Sequence, residues 1–160
     1  MSCLYIVRHG IAIEHGTPGY DEDARPLTPL GEKRMRQVAR GLRTLKPKLD
    51  RIITSPLPRA SKTAEIVADV LGLESILETA DELRAGESAE SIRHWLTTRD
   101  EANLMIVGHN PSLQDLIPLL AGGSMTLELR KGGIACLTRL PEGTYSLDWL
   151  ARPRLLRSMC

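Results

Sequence analysis

Residues 4–10, with the sequence LYIVRHG, join four apolar residues directly to Arg8, His9 and Gly10. A short run that is apolar throughout and ends in a turn signal is typical of a buried strand. We therefore expect residues 4–7 to form the first strand of a sheet. The arginine and the histidine then follow the carboxyl end of that strand.

Outward from this strand, the chain alternates between strand and helix patterns, which predicts an α/β fold. The expected architecture is a three-layer α/β/α sandwich with a mixed, mainly parallel sheet, because the last two strands are joined as a hairpin by residues 141–144. One domain is expected to cover residues 1–160. Further strands are predicted at 51–54, 76–79, 104–107, 134–140 and 145–150, and helices from Pro29 to a stop at Pro47 and at 58–71, 88–98 and 111–121.

Residues 10–27 interrupt this alternation with a long polar segment rich in Gly, Pro, Asp and Glu. A loop of this length within a compact domain is usually functional or disordered. Thr28 then supplies a helix N-cap and Pro29 the first helical position, so the loop is expected to end there.

Composition excludes several classes of protein. The net charge is +1, and a nucleic-acid binder usually carries a basic excess. The basic residues at 152–157 are interpreted as a solvated terminal segment. Cys3, Cys136 and Cys160 are scattered, so neither a zinc site nor a disulfide framework is predicted.

The chain carries no sign of a membrane or of export. Its amino-terminal apolar run is too short for the core of a signal peptide and lacks a basic leader. No stretch approaches the roughly 20 apolar residues that span a bilayer. We therefore expect a cytoplasmic protein without a membrane partner.

Side chains that can bind or react with a ligand follow three of the predicted strands. In open α/β sheets, ligands bind at the carboxyl ends of the strands. Arg8 and His9 follow the first strand, Ser55 and Arg59 the second, and His109 the strand at 104–107. A cation in the first turn of a helix, as at Arg59, is unfavourable beside the positive end of the helix dipole. A solvent-facing salt bridge could explain it, but with the other side chains at this edge a bound anion explains it better. The sequence therefore predicts an anion site with two imidazoles, which indicates phosphoryl chemistry.

The mechanism follows from these residue types. A neutral imidazole is nucleophilic near pH 7 and forms covalent intermediates. Arginines supply fixed positive charge with a geometry that suits phosphoryl oxygens. No Gly-rich Walker loop and no cluster of metal ligands is present, so we expect neither a metal nor a cofactor.

Four motifs in this order resemble those of the histidine phosphatase superfamily, from residue 5 to about residue 153. Within it, the short chain without lid insertions, the run HNPSL at 109–113 and the late Arg152-Pro153 are most similar to SixA-type phosphohistidine phosphatases. The four motifs are RHG at 8–10, RPLTPLG at 25–31, SPLPRASKTA at 55–64 and GHNP at 108–111.

The resemblance implies a phosphoglycerate mutase-like fold, a hydrolase activity and roles for named residues. His9 would be the nucleophile that becomes transiently phosphorylated. Arg8, Arg59 and His109 would bind and polarise the phosphoryl group. Ser55 and Asn110 are further substrate-binding candidates that match the motifs. No metal ligand is implied.

Many relatives use an acidic residue to protonate the leaving group, and no motif fixes its position here. Glu82 lies in the expected region, and Asp21 and Asp23 in the long loop are alternatives. Each of them also has an interpretation as solvated surface charge. His15 and His94 match no motif and are interpreted as structural or surface residues.

The predicted function is hydrolysis of phosphohistidine in a protein partner, such as a phosphotransfer domain, through phospho-His9. The first alternative is the same chemistry on a small phosphorylated metabolite. A mutase is disfavoured, because no long insertion is present to shield the substrate from water. A non-catalytic phosphate-binding module is the third alternative, and the presence of both histidines and both arginines argues against it.

Overall fold

The computed structural model describes residues 2–159, in which six strands form one sheet. These strands are β1 (Ser2–Arg8), β2 (Arg51–Thr54), β3 (Leu77–Thr79), β4 (Asn103–Gly108), β5 (Ile134–Arg139) and β6 (Tyr145–Ala151). Their order across the sheet is β3-β2-β4-β1-β5-β6. The predicted first strand therefore lies inside the sheet, with neighbours on both sides.

The directions of the strands confirm the predicted mixed sheet. β1 runs parallel to β4 with Ile6 opposite Ile106, and β2 is parallel to both β4 and β3. On its other side β1 pairs antiparallel with β5, which forms the predicted hairpin with β6. The four parallel strands therefore end at one edge of the sheet.

Helices cover both faces of the sheet, which confirms the three-layer sandwich. Leucine, isoleucine and methionine side chains that alternate along the central strands supply the two cores. In β4, Met105 packs with the first core and Ile106 with the second. The helices are α1 (Pro29–Thr44), α2 (Pro58–Leu71), α3 (Ala89–Leu96), α4 (Ser112–Ala121) and α5 (Pro153–Arg157), with 3-10 helices at Glu74–Ile76 and Asp81–Leu83.

The first core lies between the sheet and helices α1, α2 and α5, and includes Met35, Val67 and Leu156. The second lies under α3 and α4 and includes Ile92 and Leu116. Along α1 the buried side chains recur at helical spacing, so burial of an apolar stripe explains how this helix faces the sheet. The site described below lies where both layers meet the carboxyl ends of the parallel strands.

The sequence features that predicted where α1 begins and α2 ends have the expected structural roles. Thr28 caps α1, because its Oγ1 accepts a hydrogen bond from Gly31 N–H at 2.9 Å. α2 ends at Gly72, which adopts the left-handed conformation with φ of 70°. Both helices start with a proline at the first turn, next to the edge where β1 and β2 end.

The interpretation of residues 152–157 as a solvated segment is wrong. They form α5, whose Leu156 is only 1% exposed and packs into the first core. α5 crosses α1 so closely that a Cβ placed on Gly41 would lie 1.8 Å from the Leu156 carbonyl oxygen. The basic composition of this segment gave no indication that Leu156 is buried or that Gly41 lets the backbones of α1 and α5 come into contact.

The single domain predicted for residues 1–160 stays a prediction, and Met1 and Cys160 lie outside the described residues. Cys3 and Cys136 are free thiols. Within residues 2–159, no helix is long and apolar enough to cross a membrane.

Candidate active site

Hydrogen bonds that continue the sheet beyond its strand ends hold the backbone of the site. His9 N–H donates to Gly108 O at 3.0 Å, and Ser55 N–H donates to Val107 O at 2.9 Å. Gly132 N–H lies 3.0 Å from the carbonyl oxygens of both Arg8 and His9. The residues that follow β1, β2 and β4 are therefore fixed side by side.

The two predicted histidines meet at this edge. The rings of His9 and His109 have centroids 5.3 Å apart with an angle of 55° between their planes. His9 is 6% exposed and His109 is 3% exposed. Residues separated by 100 positions in the chain thus share one largely buried site.

A hydrogen bond fixes the tautomer of His9. Its Nδ1 lies 2.7 Å from the Gly10 carbonyl oxygen, which can only accept, so Nδ1 carries the proton and donates. The lone pair of the neutral ring is consequently on Nε2. Gly10 is held in turn, because its N–H donates to Thr63 Oγ1 at 3.0 Å.

The two predicted arginines are anchored by one nitrogen each and have another nitrogen unpartnered. Arg8 Nη1 donates to Leu129 O and Arg59 Nη1 donates to Glu22 O, both at 3.1 Å. The Nε of each arginine is buried without a hydrogen-bond partner among residues 2–159. Buried donors in proteins are normally paired, so these two N–H groups are suited to a ligand that accepts hydrogen bonds.

His109 adds a third nitrogen of this kind. Its Nε2 lies 2.8 Å from Ser55 Oγ, whereas its Nδ1 is buried and lacks a partner within the described part of the chain. Two fixed positive charges and an imidazole therefore surround His9. Such an arrangement suits the oxygens of a phosphoryl group.

Burial and the two guanidinium groups keep both imidazoles neutral. Burial is the largest cause that lowers the pKa of His9 from 6.5 to about 3, and His109, Arg59 and Arg8 lower it further against the opposing Gly10 hydrogen bond. For His109, burial followed by the charges of Arg59, Arg25 and Arg8 lowers the pKa to about 3. A neutral His9 is the nucleophilic form near pH 7.

These lowered pKa values predict acid sensitivity of folding. The folded pKa of about 3 lies below the 6.5 of the unfolded histidine, so between these values the unfolded chain binds more protons. The free energy of unfolding should fall as the pH drops, by about 1.4 kcal/mol per pH unit for each histidine. Urea unfolding from pH 6 to pH 4.5 measures this slope.

The variant that tests this slope is His9→Gln, which removes one of the two buried imidazoles. We expect its slope to be smaller by about one proton than that of the wild type. Equal slopes for the two proteins would contradict neutral burial of His9.

Two other predicted substrate-binding residues are tied into the protein. Asn110 Nδ2 donates to Leu129 O at 2.9 Å and lies 3.3 Å from Gln114 Oε1. Ser55 is fully buried, and its Oγ contacts His109 and accepts from Leu57 N–H at 3.2 Å. Ser55 therefore has no exposed surface with which to touch a substrate.

The candidates for a leaving-group acid are all exposed. Glu82 lies on the 3-10 helix Asp81–Leu83 and forms no hydrogen bond or ion pair within residues 2–159. Asp21 and Asp23 lie in the long loop, and Asp23 is close enough to Arg59 to act on its pKa. None of the three forms a hydrogen bond with Arg8, His9, Arg59 or His109 in the described part of the chain.

The loop at 10–27 is ordered, and residues that sequence reasoning did not single out hold it. Arg25 Nη1 donates to Ile13 O at 2.6 Å, and its other nitrogens bind the Glu22 carboxylate. Because Glu22 O accepts from Arg59, the loop is fastened to the site. The RPLTPLG motif contains Arg25 and was the only sequence signal for this contact.

Thr63 is a second residue that sequence reasoning missed. Its Oγ1 accepts from Gly10 N–H and donates to Arg59 O at 2.7 Å, which links the first strand end to α2. It follows Arg59 by four positions, so a helix places both on one face. Within residues 2–159, no group of three or more His, Cys, Asp or Glu side chains could hold a metal ion.

Known proteins share this fold over nearly their whole length. The solved structure of the protein histidine phosphatase SixA complexed with tungstate matches with a TM-score of 0.85 and 28% identity, covering 96% of this chain and 99% of that one. Phosphohistidine phosphatase SixA of Escherichia coli strain K12 is 28% identical over 94% of this chain and 93% of its own.

A protein of Picosynechococcus sp. that carries no functional description is 38% identical over 82% of this chain and 81% of its own length. The family described as "Histidine phosphatase superfamily (branch 1)" matches residues 4–90, more than half of the 160 residues. This match begins with β1 and includes RHG and the segment that carries Arg59. The chain belongs to branch 1 of the histidine phosphatase superfamily.

Proposed function

We propose that this chain hydrolyses phosphohistidine in a protein partner through transient phosphorylation of His9. The observation that carries the proposal is the hydrogen bond from His9 Nδ1 to Gly10 O. It leaves the Nε2 lone pair free in a site where three nitrogens have no hydrogen-bond partner among residues 2–159. A neutral nucleophile beside fixed positive charge is what phosphoryl transfer requires.

In the first step, His9 Nε2 forms a bond to phosphorus while the bond between phosphorus and the substrate's imidazole nitrogen breaks. The departing imidazole takes up a proton from solvent. In the second step, water attacks phosphorus, the bond to Nε2 breaks, and inorganic phosphate leaves as the water proton passes to solvent. His9 then regains its lone pair.

Arg8, Arg59 and His109 have the supporting roles in this proposal. The guanidinium groups of Arg8 and Arg59 each present a buried Nε–H without a partner among residues 2–159. Their charge is fixed, so it can neutralise the phosphoryl oxygens in both steps. His109 lies across the site from His9 and would contact the same oxygens.

Within residues 2–159, none of the candidate carboxylates is hydrogen-bonded to the site residues, and a nitrogen leaving group is consistent with this arrangement. The imidazole of phosphohistidine has a second, basic nitrogen that solvent can protonate near pH 7. Its departure therefore needs less help from a protein acid than the departure of an alkoxide does. The likeness to SixA proteins along nearly the full chain supports the same substrate class.

The test compares substrates with one another. We expect kcat/KM for a phosphohistidine-bearing phosphotransfer domain to exceed that for every member of a panel of phosphorylated metabolites by at least about 100-fold. The His9→Ala variant, purified in parallel, corrects for spontaneous hydrolysis and contaminating phosphatase. Faster turnover of a metabolite would replace the protein substrate with the small-molecule alternative, and tight binding without turnover would favour a phosphate-binding module.

A further inference from the structure

We propose that Ser55 decides which nitrogen of His109 carries the proton: the Ser55 hydroxyl donates to Nε2, so that Nδ1–H points toward the phosphoryl group. Ser55 is then a positioning residue that acts through His109. The catalytic consequence rests on the proposed function, whereas the position of the proton does not.

The surroundings of the Ser55 hydroxyl leave it one acceptor. Ser55 is fully buried, and its Oγ has two neighbours within hydrogen-bond distance, Leu57 N at 3.2 Å and His109 Nε2 at 2.8 Å. The Leu57 amide can only donate. Within the described residues, the hydroxyl proton therefore has His109 Nε2 as its acceptor.

The opposite arrangement leaves a buried group unsatisfied. If His109 Nε2 carried the proton, Oγ would accept from both Leu57 and His109, and its own O–H would have no acceptor among residues 2–159. A buried hydroxyl without an acceptor is unfavourable. With the proton on Nδ1, Ser55 donates once and accepts once, and both its hydroxyl proton and the Nε2 lone pair of His109 have a partner.

His109 has a single ring proton to place. Burial and the charges of Arg59, Arg25 and Arg8 lower its pKa, so the ring is neutral near pH 7. Its Nδ1 is the buried nitrogen without a partner in the described part of the chain, and His109 is only 3% exposed. The choice of tautomer therefore decides whether Nδ1 offers a donor or a lone pair.

In the Nδ1–H tautomer, the site has three buried N–H groups that lack an acceptor among residues 2–159 and can donate to phosphoryl oxygens. This tautomer adds one N–H to the unpartnered Nε–H groups of Arg8 and Arg59. The other tautomer would direct a lone pair at phosphoryl oxygens and repel them. Ser55 thus affects phosphate binding without touching it, which replaces the direct substrate contact that the resemblance implied.

The experiment measures the tautomer without substrate. In protein labelled with ¹⁵N histidine, the wild type should show a pyrrole-like Nδ1 and a pyridine-like Nε2 for His109. The Ser55→Ala variant should lose this pattern. A pyrrole-like Nε2 in the wild type overturns the proposal, and this outcome does not depend on any variant folding.

Ser112→Ala is the matched control, because Ser112 is also buried and its Oγ donates to the backbone carbonyl of the same His109 at 3.1 Å. We expect Ser112→Ala to keep the wild-type tautomer. The inhibition constant of inorganic phosphate should rise about tenfold in Ser55→Ala and less than twofold in Ser112→Ala. Equal weakening in both variants would reduce Ser55 to a packing role and overturn the proposal.

The outcomes separate this proposal from the proposed function. A wild-type Nδ1–H tautomer that vanishes in Ser55→Ala supports the inference even if phosphohistidine is not the substrate. Conversely, hydrolysis that requires His9 can be observed while His109 carries its proton on Nε2. Each failure is therefore recognisable on its own.

Discussion

Replacing His9 with alanine is expected to lower kcat/KM for phosphohistidine hydrolysis by at least about 10⁴-fold, because the variant lacks the atom that would bond to phosphorus. Arg8, Arg59 and His109 keep their own anchors to Leu129, Glu22 and Ser55. The anion site should therefore survive. We expect the inhibition constant for inorganic phosphate to change by less than about tenfold, so the loss appears in kcat.

Two further measurements sharpen this prediction. Incubation of the wild type with ³²P-labelled substrate and rapid denaturation should trap a phosphoenzyme that is labile in acid, and His9→Ala should trap none. His94→Ala removes an exposed histidine outside the site and should retain full activity. Turnover of His9→Ala within about tenfold of the wild type would exclude His9 as the nucleophile.

The chain itself makes much of this site predictable. Leu4 to Val7 are apolar on both faces of β1, and such a strand must lie between two helical layers. The first polar residues after it then fall at the edge where parallel strands end. The same logic applies after β2 and β4, which is why the sequence alone groups Arg8, His9, Arg59 and His109 at one edge.

Directions of side chains and long-range polar contacts could not be predicted in this way. Nothing in the local sequence indicates that Arg59 Nη1 reaches the Glu22 carbonyl, since this contact depends on how the loop at 10–27 folds back. The link from Ser55 to His109 spans 54 positions and depends on the placement of β2 beside β4. Periodicity reports which face of an element is buried, but not which polar atoms meet across elements.

The same limit applies to α5 and to the leaving-group acid. Five residues are too few for a helical pattern, so the buried Leu156 could not be told from a leucine in a solvated tail. Glu82, Asp21 and Asp23 are exposed carboxylates on short or irregular segments, where composition carries no positional information. The role of Glu82 as a general acid stays a prediction.

Arg59→Lys is expected to lower kcat/KM by about 10²–10³-fold although it keeps the positive charge. Two nitrogens of the guanidinium have different roles. Nη1 donates a hydrogen bond to Glu22 O at 3.1 Å, whereas the buried Nε has no partner among residues 2–159 and is available to a phosphoryl oxygen. A lysine has one ammonium nitrogen on a flexible stem. It cannot hold the loop at 10–27 and present a second, fixed donor to a phosphoryl oxygen.

Arg36→Lys is the matched control, because exposed Arg36 on α1 binds Asp69 at 2.8 Å by a guanidinium nitrogen and lies on the outer surface. It should leave kcat/KM within about twofold of the wild type. In Arg59→Lys, inhibition by inorganic phosphate should weaken at least about tenfold, since one charge-assisted hydrogen bond is lost. If Arg59→Lys retained both activity and phosphate inhibition within about threefold, charge alone would suffice at this position, and the buried Nε–H would have no part in binding the phosphoryl group.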